Sequence, residues 1–519
     1  MAINKSLSYK LICFLYLNII ILNIISAQKN DYLWLFGYRS ELIDCVYIKG
    51  YGGFDIDFNQ NPFQISKHAR GMHIAGNNAS ICNQDGQLQA YTNGCFISNK
   101  YDRRIKGSDS LFNYSRVADG NCYLGSPISK NCILLTDPKY SEYVHLFLIE
   151  NKGLVKPGDS IHGMTYDKYI LHTKIDLKAN TGEAEVIYKN KVEIEDTLAS
   201  YKMNACKHSD QQSWWLIFRK LLSHEFVRIL MTEDTVLRME NQIMEPIKYN
   251  FWGNGSGSSG FSPNGKKYAW YDPYNDLNVY DFDRSTGLLS NYKKIVIQDS
   301  LLFGFIAFSP NSRFVYTTSR WDLYQTDLEE PDPLKAVTHI SHYSGNLCPI
   351  SMTSTAYFEL QMGPDCKIYM NSPGTVTCLH VINHPDRKGK ACDFVEAGVM
   401  LPSRHGNSIP NFPHYRIDNP YPCDSTIITS FIDIPNDAIR CNINPNPASE
   451  YLEIVASWNQ YKYPILIVYN INGQQVKEFN LDHHLEKQKV NIANLPQGIY
   501  FYQILTESEW ISTGRIVVE

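Results

Sequence analysis

The chain has 519 residues, 44% of them hydrophobic and 13% aromatic, which is enough to bury one large core and a small second one; disorder is not the expectation. A formal net charge of −5 with no Lys/Arg-rich stripe argues against a nucleic-acid partner, because neutralising phosphates needs a basic face. With 35 Tyr, 31 Gly and 24 Pro, and no sustained 3.6-residue periodicity beyond the first segment, the composition favours strands and turns, and the predicted class is all-β.

In chain order, Lys5 and Lys10 precede an apolar run from Leu11 to Ile25 and then Ser26-Ala27-Gln28. This order of charged, apolar and small residues predicts a secretory signal peptide over 1–27, cut between Ala27 and Gln28. The run of about 15 residues is shorter than the roughly 20 that span a bilayer, and no later run compares with it, so no permanent transmembrane segment is expected. Of 13 cysteines, Cys13 leaves with the signal, and the remaining even number suits disulfides in an oxidising compartment. Cys82 with Cys95, Cys122 with Cys132, and Cys423 with Cys441 are plausible local pairs among many alternatives. There is no CxxC pair and no HxH or HExxH spacing among His162, His172, His208, His342, His405 and His414, so no metal site is predicted.

The body, 28–418, carries a weak repeat. FSPNGKKYAWYD (Phe261 to Asp272) returns as FSPNSRFVYTTS (Phe308 to Ser319) and more faintly as MGPDCKIYMNSP (Met362 to Pro373). In each copy a Pro-containing turn, at Pro263, Pro310 or Pro364, feeds a strand, at a spacing close to the roughly 40 to 50 residues of propeller blades. Earlier stretches fit the plan less clearly: a hairpin around Gln84-Asp85-Gly86, consecutive strands at Tyr143 to Glu150 and Lys168 to Leu177, and a strand at Ser213 to Lys220. The prediction is a β-propeller of six to eight blades, most simply seven, with a non-propeller array of β-sandwiches as the alternative. Residues 419–440, with Pro420, Pro422 and Pro435, form the predicted linker.

Catalytic signatures are scarce. Gly255, Gly257 and Gly260 spell GxGxxG, but a turn and strand follow where a dinucleotide would need a helix N-terminus, so no cofactor is predicted. No GxSxG elbow occurs. Asp281 and Asp283 alternate along one strand and would share a face, which permits paired acid and base roles, although Asp beside Arg284, Ser285, Thr286 and Gly287 also reads as a solvated turn. His405, between Arg404 and Gly406, is the best surface-site candidate among the histidines. Of Trp214 and Trp215, strand alternation sends at least one into the core.

The last segment, 441–519, reads as strands throughout. It opens NPNPASEYLEI with Pro445, Asn446 and Pro447, continues ILIVYNINGQQV with the hairpin dipeptide Asn472-Gly473, and closes NLPQGIYFYQI (Pro496, Gly498, Tyr500) and TGRIVVE (Arg515). A small Ig-like β-sandwich is expected. These four motifs, in this order, resemble the C-terminal sorting domain of type IX secretion cargo from Bacteroidetes; Arg515 stands where that family commonly has Lys. The body in turn resembles secreted proteins of such bacteria in which a WD-repeat-like propeller precedes the sorting domain, through WLFGY (Trp34 to Tyr38), DGQLQAYTNG (Asp85 to Gly94), YDFDRSTGLLS (Tyr280 to Ser290) and LPSRHGNSIPNFPHYRI (Leu401 to Ile417). The resemblance implies export through the periplasm to the cell surface or the medium, with the type IX machinery and its sortase as partners. It implies no particular activity. The expected function is a surface or secreted binding and adhesion module for a polysaccharide or protein, and the alternative is a secreted propeller hydrolase or lyase acting on glycans.

Overall fold

A computed structural model describes residues 28–39, 50–111, 125–126, 129–152, 166–200, 202–244, 257–298, 304–348, 353–417, 442–456, 458, 463–470, 475–505 and 510–519. The signal segment, the linker 419–440, Cys122, Cys423, Cys441 and Asn472-Gly473 lie outside these. The chain divides into two compact units, the second of which contains the tail.

Among the described residues the body is a succession of seven antiparallel sheets, each an up-and-down meander in chain order save that in the fourth the short Gln242–Ile243 pairs back with Glu225–Met231. The first three begin with Leu33–Gly37, Ala79–Cys82 and Cys132–Thr136, and the fourth with the short Cys206–Lys207. Ser258–Phe261, Phe305–Phe308 and Leu360–Met362 open the fifth, sixth and seventh. These opening strands are among the most buried in the chain, so meanders that could not cover both faces alone cover each other.

Hydrogen bonds link each sheet to the next. Asn78 Nδ2 donates to Leu35 O (2.5 Å), Asn77 Nδ2 to Asn131 Oδ1, and Met203 N to Lys130 O (2.8 Å). Asn204 Nδ2 donates to Ser259 Oγ (2.6 Å), Ile306 N to Ser258 Oγ (2.9 Å), and Thr318 Oγ1 to Phe358 O (2.8 Å). The seventh sheet returns to the first sheet's leading loop through Arg404 N to Gly50 O (2.6 Å) and Ser403 Oγ to Gly52 O (2.9 Å). This circuit is a β-propeller with seven blade-like sheets.

The repeat seen in the sequence is a repeat of turn geometry. In the fifth sheet Ser262 Oγ donates to Asn264 Oδ1 (2.7 Å) and accepts from Lys267 N (2.9 Å). In the sixth, Ser309 Oγ donates to Asn311 Oδ1 (2.7 Å) and accepts from Phe314 N (2.9 Å). The same position of each turn is left-handed: Gly265 at φ 65°, Ser312 at 65° and Cys366 at 66°. Short polar side chains that bond their own backbone make such turns local, which is why they survive in the sequence.

The cysteine pairing differs from expectation. Cys82 and Cys132 are buried free thiols, as are Cys206 and Cys392, while Cys348 pairs with Cys378. Cys95 is oxidised, but not with Cys82. Cys82 and Cys132 sit on opening strands, where small apolar side chains fill the packed centre and burial raises both thiol pKa values, Cys132 to about 12. Trp214 and Trp215 are both buried, at 0% and 1% exposure: one strand face packs inward and the other against the neighbouring sheet.

The tail forms two facing sheets, one of three strands and one of four. Alternate residues Leu452, Ile454, Leu466, Val468, Ile504, Ile516 and Val518 fill the space between them, as in an Ig-like sandwich. Asn446 ties the opening arm to the last strand, donating from Nδ2 to Arg515 O (2.7 Å) and accepting from Val517 N (2.8 Å). Tyr500 closes the turn before its strand by donating to Pro496 O (2.7 Å). Ile465–Tyr469 and Gln475–Asn480 pair as antiparallel neighbours.

Candidate functional site

The centre of the body is occupied by the chain itself. After Phe394–His405, the last strand of the seventh sheet, residues 406–417 run as irregular backbone beside the first sheet's opening strand and antiparallel to it. The ring of His405 lies 6.3 Å from that of Phe36, Phe412 lies 6.1 Å from Trp34, and Arg416 reaches Asp31. The segment therefore takes the innermost place of the first sheet, which has only three strands of its own.

Its polar groups are satisfied by several sheets at once. Asn407 N donates to Ala75 O (2.6 Å), and Asn411 N to Asn78 O (3.0 Å). The Asn411 amide also donates to Cys132 O and Met203 O, both at 3.0 Å. Tyr415 OH donates to Leu134 O (3.1 Å), and Ile409 N to Glu359 Oε2 (3.3 Å). One amide side chain thus ties the third and fourth sheets together. Gly406 is required for steric reasons, since a Cβ there would stand 2.2 Å from Ala75 O.

Beside this segment is a cavity of about 70 Å³. Its walls are Ser258–Phe261, Phe305–Phe308, Leu360–Met362, residues 411–414, and the approaches to the third and fourth sheets, Lys130 and Lys202–Ala205. Lys130 Nζ crosses to the seventh sheet and donates to Leu360 O (2.7 Å) and Gln361 Oε1 (3.3 Å). Burial pulls its pKa down to about 8, and that of Lys202 down as well, against the pull of the Glu359 carboxylate on both. Glu359 is fully buried.

The candidates named from sequence lie elsewhere. Asp281 accepts from Lys267 Nζ (2.6 Å) and Asn291 Nδ2 (2.7 Å). Asp283 accepts from Ser285 N (2.8 Å), Ser285 Oγ (2.7 Å) and Thr286 Oγ1 (2.8 Å) in the turn that follows it. Neither lines the cavity. His405 is at 0% exposure and is not a surface residue: the segment that follows it turns inward and covers it, and Nδ1 and Nε2 face the carbonyls of Gly406 and Cys378.

Two clusters were missed by the sequence reading. In the third sheet a buried chain of polar groups runs from Asp137 Oδ2 to His145 Nε2 (2.9 Å), from His145 Nδ1 to His172 Nε2 (2.8 Å), and from His172 Nδ1 to Glu193 Oε1 (3.0 Å). Lys174 and Lys191 donate to its two carboxylates. Burial holds both imidazoles below their ordinary pKa, His172 at about 4. Unfolding frees them to take protons below about 6.5, so the folded state should lose stability as pH falls from about 6.5 to 4, by on the order of 3 kcal/mol for His172 alone. Chemical denaturation at stepped pH checks this, and the slope should shrink in His145→Gln/His172→Gln protein. In the tail, Asp482, His483 and His484 bring three ligand atoms within 4.8 Å of one another, the one such group among the described residues. The adjacent histidines of a turn have none of the spacings sought in the sequence.

Residues 442–519 match the secretion system C-terminal sorting domain family. This tail marks the protein for type IX export to the cell surface or the medium, and engages that secretion machinery. No helix among the described residues is long and apolar enough to cross a membrane. A search of curated proteins finds no match. Among similar solved structures is a protein provisionally named a 6-phosphogluconolactonase from Bacteroides uniformis, with a TM-score of 0.42 at 10% identity, covering 72% of this chain and 98% of that one. The periplasmic gluconolactonase of Pseudomonas aeruginosa gives 0.33 at 12%, covering 94% and 100%. TolB from Acinetobacter baumannii gives 0.30 at 9%, covering 74% and 68%. Likenesses this distant carry no functional information.

Proposed function

We propose that the propeller body is a binding and adhesion module that recognises a polysaccharide or a protein outside the cell. In this reading residues 1–27 are removed after Ala27 as a signal peptide, and a sortase removes the tail after passage through the outer membrane. The observation that supports it is the commitment of the centre to closure. Segment 406–417 leaves about 70 Å³ beside it, against the roughly 300–1,000 Å³ of pockets that enclose a small-molecule substrate. Asp281 and Asp283 are each engaged by their own neighbours, as structural carboxylates are. In this reading recognition falls to the rims and loops, where a second cavity of about 350 Å³ lies beside Asn99, Lys100, Glu142 and Lys178.

The test uses purified 28–419 and a panel of polysaccharides, with and without calcium, following retention and new reducing or unsaturated ends together. Retention without turnover is the expected result. Turnover that disappears in Asp281→Asn/Asp283→Asn protein would replace this reading with that of a glycan hydrolase or lyase.

A further inference from the structure

We propose that the cavity beside segment 406–417 is an oxyanion site, in which Lys202 and Lys130 hold one carboxylate or one inorganic phosphate. The inference extends the binding-module reading to a second, small ligand but does not depend on it.

The cavity presents ammonium groups and hides carboxylates. Lys130 and Lys202 are both on its wall, whereas Glu359 and Asp167, the acidic groups that face them, are not. Lys130 spends two donors on Leu360 O and Gln361 Oε1, which leaves a third. Lys202 has no hydrogen-bond acceptor among the described residues; its Nζ sits 5.8 Å over the Phe305 ring. Lys202 is half-buried on the cavity wall, and an oxyanion held there would give its ammonium the acceptor that the ring cannot. Asn204, Ser258, Ser259, Gln361 and His414 complete the wall with polar groups. Burial holds His414 neutral, with its pKa near 4.

The backbone supports the same assignment. Lys130 and Lys202 are non-glycine residues in the left-handed region, at φ 51° and 73°. Lys130 stands two residues before Cys132 and Lys202 four before Cys206, on the approaches to the third and fourth sheets, and Met203 N, next to Lys202, donates to Lys130 O (2.8 Å). Two lysines paying backbone strain to face one space is a costly way to make a packing contact. The volume suits a carboxylate or phosphate group and not a whole sugar; an acidic sugar would enter by its carboxylate end.

The secreted chain, 28–519, should be titrated calorimetrically with inorganic phosphate, with D-galacturonate and with neutral D-galactose, at constant ionic strength in chloride. One saturable site for phosphate or galacturonate, with none for galactose, is expected. Lys202→Met should weaken that binding by about tenfold or more, the loss of a charged hydrogen bond, and Lys202→Arg should keep most of it. Lys130→Met tests the second donor, with its fold checked by circular dichroism. If phosphate binds and galacturonate does not, the site takes a free inorganic ion; if both bind, it reads the carboxylate of an acidic saccharide too. No saturable heat with either anion, or equal affinity in wild-type and Lys202→Met protein, would overturn the proposal. Polysaccharide retention is measured on the same preparations. Failure of the binding-module reading appears as lost retention with anion heat intact, and failure of the anion site as the reverse.

Discussion

Replacing Arg416 with methionine should destabilise the propeller body by about 3–5 kcal/mol, the cost of breaking a buried ion pair from one side. Arg416 and Asp31 are 8% and 5% exposed. The guanidinium grips the carboxylate with two parallel bonds, Nη1 to Oδ1 at 2.6 Å and Nη2 to Oδ2 at 2.7 Å, and Nη1 also donates to Gln28 O at 2.7 Å. Methionine preserves the stem and its packing near Tyr32 but leaves the Asp31 carboxylate buried and unanswered. The pair joins residues almost four hundred positions apart, the start of the body to its end, so its loss opens the circuit between the first sheet and segment 406–417. Replacing both partners, as Asp31→Leu/Arg416→Met, should recover part of the loss, because no orphaned charge remains. Urea denaturation followed by tryptophan fluorescence measures all three variants. A single variant within 1 kcal/mol of wild type would show that the segment does not lock the ring.

How much of this was legible in the sequence depended on the reach of the interactions. The turns at Pro263 and Pro310 were readable because the side chains of Ser262, Asn264, Ser309 and Asn311 bond residues no more than five positions away. In the tail Pro496 to Tyr500 was readable for the same reason, whereas Asn446 bonds Arg515 and Val517, 69 and 71 positions away. Segment 406–417 stood out as a Pro-rich closing stretch, yet its role depends on Asn411 meeting Cys132 and Met203, at separations of 279 and 208 residues. No local pattern encodes such contacts, and so His405, a surface-site candidate in the sequence, is buried beneath them. Lys130 and Lys202 fall in non-repeating approaches to the opening strands, outside the repeat that drew attention. His145 and His172 are neighbours only because their strands pair in register, Phe147 with His172 and His145 with Lys174. The cysteines misled for a related reason: sequence proximity suggested Cys82 with Cys95, whereas the packed centre uses Cys82 as a small apolar filler.

The second large effect concerns the tail. The sandwich of residues 442–519 has its own core, with Leu452, Ile454, Leu466 and Ile504 fully buried. Its removal should therefore leave the body folded while abolishing export, a separation that a shared core would not allow. Within the tail, Asn446→Ala removes both bonds that pin the opening arm to the last strand, at about 1–3 kcal/mol, and should reduce export less completely.

The most direct measurement expresses the full chain, and the chain ending at residue 441, in a bacterium with type IX secretion, and follows each by fractionation and by protease added to intact cells. The full chain should be found in the medium or be cleaved at the surface, whereas the shortened chain should remain in the periplasm, folded and protected. A shortened chain that reaches the surface at the full chain's yield would contradict the account.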